Sequence, residues 1–456
     1  MTLRAHIGGA AGFAGDRTDA AGPLVEALAR ADGPRFLMFE TLAERTLALS
    51  QLERRRDPSR GYNPALERFV APVLARCLAE NIRIVGNFGA ANPKAAALRI
   101  QTLAREQGVR PPRIAVVEGD DLTGVLTVQE LAARETGGML LRGATEIVAA
   151  NLYLGARPIA EALDRGADIV VTGRVVDSAL ALGPLVHVFK WRWDDWDRLA
   201  AGTLAGHLLE CGAQVTGGYF ADPPLKDVPG LAEVGYPLAE VDPDGEIVLG
   251  KPAHTGGRAD RQTVIEQLLY EIHDPAAYLV PDVVLDLTDV TVEQTGPDRV
   301  RVAGARGHPA PDTLKATVCV DAGVLGEAEI SYAGPNAGGR ARLAAQIIRD
   351  RLARRAPHLQ FRIDAIGVSS ILGNDDGALG VAWNDQAVDV RLRFAARAAR
   401  ADDVRLLLDE VEALYCAGPA GGAGVRRQVT PRLASASCLI ERVFERPRVS
   451  MLEGTA

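Results

Sequence analysis

Five short apolar runs, each closing on glycine or charged residues and each followed by a helical pattern, constrain this chain more than any other feature. They are LRAHIGGAAGFAGDR from Leu3 to Arg17, RFLMFE at 35–40, IRIVGN at 82–87, RIAVVEGDD at 113–121 and ADIVVTGR at 167–174. Strands that alternate with amphipathic helices build a mostly parallel sheet with helices on both faces. In such a sheet ligands bind in the crevice beyond the carboxyl ends of the strands. Those ends collect Gly8, Gly9, Gly12, Gly15, Asp16, Arg17, Glu40, Asn87, Glu118, Asp120, Arg174 and Asp177. The expectation is one pocket for a small, anionic ligand along that rim.

The helices between the runs are expected at 23–30, 42–56, 64–81, from 93 to Gly108, and at 158–165. In the fourth, Asn92 is a suitable N-cap and Pro93 a good first helical residue. At 456 residues the chain exceeds what one core supports, so two domains are expected. The first is an α/β ligand-binding domain over 1–200. The second, 201–456, is α+β, partly antiparallel and packed closely on the first. In it we expect a helix at 203–211 capped by Gly212 and a hairpin at 237–250 around an Asp-Gly turn. A helix at 259–272 and strands at 283–287, 299–302, 314–320 and 326–332 follow. A helix at 341–355, strands at 361–368 and 387–394 and a helix at 402–415 complete the pattern. Three of the four tryptophans fall in HVFKWRWDDW, 187–196. That segment reads either as a loop tucking its rings onto the body or as a protomer contact.

A net charge of −8 argues against nucleic acid and gives no reason to expect a membrane surface as partner. Five scattered cysteines (Cys77, Cys211, Cys319, Cys416, Cys438) without a C-x-x-C pair suit reduced thiols in a cytoplasm. No signal-peptide pattern or membrane span is visible.

Each candidate site has a structural alternative. GGAAGFAGDR reads as a phosphate cradle helped by Asp16 and Arg17, or as a tight turn. Its spacing does not give G-x-G-x-x-G, so a nicotinamide cofactor, with Glu40 on the ribose, is the weaker reading. KPAHTGGR at 251–258, with His254, Thr255, Gly256, Gly257 and Arg258, is a second anion-binding pattern or a basic helix start. Arg174 and Asp177 lie one turn apart at a strand mouth. They suit carboxylate or thioester binding with proton transfer, or a salt bridge clamping the helix start. His207 and Cys211 could supply two metal ligands, but packed core residues are the more economical reading, and no metal is expected. His273, in His-Asp-Pro after a helix, is a proton carrier or part of a capping turn. No G-x-S-x-G elbow supports a serine hydrolase.

GGAAGFAGDR, FETLAERTLALSQLERRRDPSRGYNP, NFGAANP, VTGRVVDSALALGP, HLLECGAQVTGGYFADPPLKDVP, KPAHTGGR, QLLYEIHDPAAYLVPDVV, GARG, TLKATV and ISYAGP follow one another over about residues 3–445. Together they resemble the acyclic terpene utilisation (AtuA) family. The resemblance implies breakdown of branched acyclic terpenoids and related acyl-CoA compounds, beside carboxylases, hydratases and dehydrogenases. Longer members look as though they continue into a small ferredoxin-like domain, so a separate small subunit of that fold is an expected partner, alongside self-association. The expected activity is acid–base chemistry on an acyl-CoA or branched acyl carboxylate, of the hydration or dehydration type, without a redox cofactor. Glu40, Asp177 and His273 are the expected proton carriers. Gly8, Gly9, Gly12, Gly15, Asp16, Arg17, Asn87, Gly89, Arg174 and 254–258 are expected to hold the substrate. A non-catalytic scaffold for neighbouring acyl-CoA enzymes and an NAD(P)-dependent reductase are the alternatives.

Overall fold

The computed structural model describes residues 3–371, 373 and 383–452. The chain condenses into two compact units, Met1–Cys319 with Ser435–Ala456, and Val320–Ala434.

The first unit is built on a ten-stranded sheet. Its centre is five parallel strands: β1 (Ala5–Gly12), β2 (Arg35–Glu40), β3 (Arg83–Gly86), β4 (Ile114–Glu118) and β5 (Ile169–Thr172). They lie in the order β1-β2-β3-β5-β4. These are the five apolar runs, and they read as continuous hydrophobic stretches because both sheet faces are covered. Leu37, Phe39, Ile84, Val116 and Val171 share a core with helices Leu66–Ala79 and Pro93–Glu106. Phe36, Met38, Val85 and Val170, one residue out of phase, are equally buried toward the opposite face. Helices Ala179–Phe189 and Trp196–Leu209 lie against β1 there. Asn92 caps its helix as expected, its side chain accepting from the Ala95 amide at 3.3 Å, with Pro93 at the first turn.

Antiparallel strands extend both edges of the parallel core. Beside β1 lie β6 (Leu238–Val241) and β7 (Ile247–Gly250), the expected hairpin, followed outward by β9 (Arg299–Ala303) and β8 (Thr291–Gly296). β10 (Arg448–Leu452) closes the other edge against β4. Residue 200, the expected boundary, therefore lies inside helix Trp196–Leu209, and everything to Cys319 stays with the first unit. The physical reason is edge addition: the hairpin hydrogen-bonds directly to β1 instead of founding a sheet of its own.

Other differences are local. The helix expected at 203–211 starts a full two turns earlier, at Trp196. Trp191 is buried and donates to the Pro243 carbonyl at 2.9 Å, so this ring is tucked onto the body. Helix Ala179–Phe189 was hidden by Gly183 and Pro184; Gly183 is there because a Cβ would meet Ile159 Cγ2 at 2.5 Å. The two strands expected at 314–320 and 326–332 are one continuous strand, Thr313–Ala333.

The second unit is α+β and antiparallel. Strand Asp389–Ala398 pairs with Phe361–Ile366 on one side and with Val324–Ala333 on the other. Helices Ala337–Arg355 and Ala401–Ala417 bury Ile348, Leu352, Leu407 and Val411 against Leu392 and Phe394. Among the described residues no helix is long and apolar enough to cross a membrane.

Candidate functional site

Parallel strands deliver their carboxyl ends to one edge, and four of them meet there through side chains. β2 ends on Glu40 and β3 runs into Asn87. The Asn87 amide group donates to Glu40 Oε1 at 3.0 Å and accepts from the Thr41 amide at 2.7 Å. The Leu42 amide donates to the same Glu40 oxygen at 2.8 Å. β5 leads to Arg174, whose backbone N–H donates to Asp120 Oδ2, beyond β4, at 2.9 Å. Gly173 permits that approach, because a Cβ there would stand 2.7 Å from the Asp120 carboxylate.

Arg174 is the hub. It is 2% exposed and donates to the Leu42 carbonyl at 2.5 Å, to the Val175 carbonyl at 3.0 Å and to the Asp177 carboxylate. Its guanidinium also stacks 4.2 Å from the centre of the Tyr153 ring. The Tyr153 hydroxyl donates to Glu44 Oε1 at 2.7 Å, and Lys315 Nζ approaches that oxygen at 3.4 Å. Asn151 donates to Asp120 at 2.8 Å. Every residue of this cluster belongs to the first unit.

Burial sets the charge states. Glu40 is desolvated and faces the negative charge of Asp177, so its carboxyl is held well above the usual range despite Arg174 and Asn87. Asp177 is pushed up to about 7 by burial, against the pull of Arg174 and with the charges of Glu210 and Glu44 adding to the rise. It still keeps a third of its side chain accessible. Burial raises Asp120 to about 6, tempered by the Arg174 amide and Asn151. Glu44 goes the other way: burial opposes ionisation, but the Tyr153 hydroxyl, Lys315 and Arg174 hold it down at about 2. One guanidinium cannot neutralise both Glu40 and Asp177, so that pair retains a proton at neutral pH. A neutral acid beside a titrating carboxylate is the arrangement that acid–base chemistry uses.

A second layer backs Asp177. His207 is 1% exposed, and its two ring nitrogens meet Glu210 Oε1 at 2.8 Å and the Leu268 carbonyl at 3.3 Å. Both partners are acceptors, so both nitrogens carry hydrogen. Burial disfavours that cation, but the Glu210 carboxylate overrides it and raises the imidazole's pKa. The Tyr278 ring lies 5.6 Å from His207, and burial together with Glu210 and Asp177 keeps its hydroxyl protonated. Among the described residues no group of His, Cys, Asp and Glu is placed to hold a metal ion.

The glycine-rich expectations are corrected by the geometry. Gly8, Gly9 and Gly12 lie in β1, not in a loop. A Cβ would meet Leu24 Cδ2 at 3.2 Å from Gly8, the Leu209 carbonyl at 2.8 Å from Gly9 and the Cys211 carbonyl carbon at 2.4 Å from Gly12. Two of these glycines let the helix ending at Leu209 approach the strand. Gly15 sits in the following turn beside Phe13. Asp16 itself accepts from the Gly12 and Arg17 amides at 2.7 Å each, and from the Tyr236 hydroxyl at 2.5 Å, so the chain's own carboxylate fills the cradle. Arg17 pairs with Asp19 at 2.9 Å and reaches the Ala232 carbonyl at 3.1 Å. It shares no partner with Arg174.

The segment 251–258 is likewise closed on itself. The Gly256, Gly257 and Arg258 amides donate to the carbonyls of Glu233, Pro229 and Thr216 at 2.7, 2.7 and 2.8 Å. The Thr255 hydroxyl donates to the Pro252 carbonyl at 2.6 Å, and Arg258 is taken by Asp260 and the Asp227 carbonyl. His254 adopts a φ of 62° in this turn. Gly89 is a packing glycine, since a Cβ would stand 2.4 Å from the Thr172 carbonyl. His273 is exposed in the turn after helix Arg261–Leu269 and makes none of the bonds of the cluster.

Of the expected residues, then, Glu40, Asn87, Asp120, Arg174 and Asp177 converge. Glu44, Tyr153, Asn151, Lys315, Glu210 and Tyr278 join them unforeseen. Tyr153 and Asn151 follow from strand Ile147–Leu152, whose apolar run could have been recognised. Asn63 carried a weaker signal in GYNP. Its side chain donates to the Thr41 carbonyl at 3.2 Å and the Ala14 carbonyl at 3.4 Å, tying the turns after β1 and β2 together.

With that geometry in place, the comparison with known families is direct. The family described as acyclic terpene utilisation family protein AtuA matches residues 5–451, nearly the whole chain, and the chain belongs to it. No curated protein matches the chain.

Proposed function

From membership in the acyclic terpene utilisation family, we propose that the chain is a lyase of the hydratase type acting on a branched acyl-CoA or related acyl carboxylate. The reading rests on one observation: two buried carboxyls, Glu40 and Asp177, share the single guanidinium of Arg174, which bonds Asp177, and burial raises the pKa of both. Adding water across an enoyl thioester needs a base and an acid. Asp177, the accessible member, takes a proton from water as the hydroxide adds to the β-carbon. Glu40 supplies the proton that the α-carbon gains, and the two carboxyls then exchange one proton to reset. Burial and mutual repulsion keep the pair from ionising together, Arg174 keeps both from staying neutral, and Lys315 draws the anionic end of the substrate.

The test is turnover of the purified chain with a branched 2-enoyl-CoA in ¹⁸O-water, with and without a small partner subunit. The expected result is label at the β-carbon of a 3-hydroxyacyl-CoA, lost in Glu40→Gln and Asp177→Asn. Binding of acyl-CoA without conversion in either direction would reduce the chain to a ligand-binding scaffold. NAD(P) binding with hydride transfer would replace the lyase reading altogether.

A further inference from the structure

The same strands that end at the carboxylate cluster begin at a cavity of about 550 Å³ at the opposite edge of the sheet. β2 opens with Arg35 and β3 with Arg83; Arg113 stands just before β4, and Asp168 just before β5. All four line the cavity, with Arg110 and Lys190 beside them. A chain of net charge −8 thus gathers cations at one place.

These cations are under-compensated. Asp168 accepts from Arg110 at 2.8 and 3.0 Å and from the Arg113 amide at 2.8 Å, and it stands 3.9 Å from Arg113 Nε, so one carboxylate serves both arginines. Lys190 and His187 both turn to Asp164 at 2.5 Å. Arg83 has no carboxylate within ion-pair distance among the described residues. Its side chain meets His187 Nε2 at 2.5 Å, and because His187 Nδ1 donates to Asp164, that nitrogen is the lone-pair side of a neutral ring. Among the described residues Arg35 donates only to the carbonyls of Glu80 at 2.7 Å and Ala29 at 3.4 Å, and its Nε is buried without a partner. Two cavity-lining guanidinium groups without a carboxylate partner make a site for an external anion. Guanidinium geometry favours bidentate phosphate. Much of the remaining wall is apolar, formed in part by Leu3, Pro34 and Val188, and the volume is in the range of ligand pockets.

We propose that this cavity binds a nucleoside diphosphate, with its phosphates on Arg35, Arg83 and Arg113 and its base against the apolar wall. The site is separate from the carboxylate cluster, since the two occupy opposite ends of β2 and β3.

Isothermal titration of the full chain with ADP, inorganic pyrophosphate and adenosine tests it. ADP should bind more tightly than pyrophosphate, adenosine should give no heat, and ADP affinity should fall as salt rises. Arg83→Gln should weaken ADP at least tenfold. Arg113→Gln, whose side chain is 64% exposed, should do the same without burdening the fold. Glu40→Gln, with its change at the far rim, should leave ADP affinity untouched. No heat from ADP or pyrophosphate, or unchanged affinity in both arginine variants, overturns the site. Pyrophosphate binding as tightly as ADP overturns the nucleoside assignment, and loss of ADP binding in Glu40→Gln overturns the separation from the acid–base cluster.

Discussion

The two rims of the parallel sheet are built from the same strands yet have opposite chemistry. At the carboxyl ends, buried carboxylates outnumber the guanidinium that serves them, and burial leaves a proton among them. At the amino ends, arginines outnumber the carboxylate that serves them, and a cavity is left open. A β-strand of four to six residues spans roughly 13–20 Å at about 3.3 Å per residue, and that length separates the two rims' charges. The lesson is that charge imbalance, more than glycine content, sets both rims apart from the turns that hold Arg17 and Arg258. There Arg17 pairs with Asp19 and Arg258 with Asp260, so charge is balanced locally.

The largest effect should come from Arg174→Met. It leaves Asp177 without its cation and the buried Leu42 carbonyl without its donor. Removing one partner of a buried ion pair costs about 3–5 kcal/mol, so urea unfolding should show a loss of that size; a loss below about 1 kcal/mol would erase the hub. Next come Glu40→Gln and Asp177→Asn, which should lower turnover by about 10²–10⁴, the usual worth of a positioned acid or base. Both variants should stay folded.

The pH dependence of stability sharpens the contrast further. Folded Glu40 holds its proton above the pH at which the unfolded chain releases it, near 4.3. From that pH upward the folded state binds more protons, so wild-type stability falls as pH rises, by up to about 1.4 kcal/mol per unit. Glu40→Gln has no such proton. Its stability relative to wild type should therefore increase from pH 5 to pH 8, as read from chemical denaturation; a flat difference would mean Glu40 ionises normally.

A smaller change is expected from Tyr153→Phe, which removes the hydroxyl on Glu44 and should cost about 1 kcal/mol while letting Glu44 rise from about 2. The smallest should be Arg17→Ala and His273→Ala, with turnover and acyl-CoA affinity within twofold of wild type. A larger effect of either would restore the glycine-rich turn, or the turn after helix Arg261–Leu269, to the site.

Much of this was legible in the sequence, for identifiable reasons. The five parallel strands are continuous apolar runs, so their order of appearance and their polar ends could be read directly, and with them Glu40, Asn87, Arg174 and Asp177. The arginines opening RFLMFE and RIAVVE carried the signal for the opposite rim, although attention to the carboxyl ends passed over it. Glycine misled the reading, because a residue chosen for close approach of helix to strand has the same letter as one chosen to expose amides. Glu44 and Lys315 were out of reach: they come from a helix and from the long strand Thr313–Ala333, and only their tertiary meeting at Tyr153 makes them a group.

The central claim, that Glu40 stays protonated while Asp177 titrates beside it, is tested most directly by carboxyl ¹³C NMR of the labelled chain. Signals would be assigned by their loss in Glu40→Gln and Asp177→Asn. The account predicts a Glu40 resonance whose midpoint lies well above the ordinary carboxyl range and an Asp177 resonance with its midpoint at about 7. Two carboxyls titrating together near 4, as in model peptides, would contradict it.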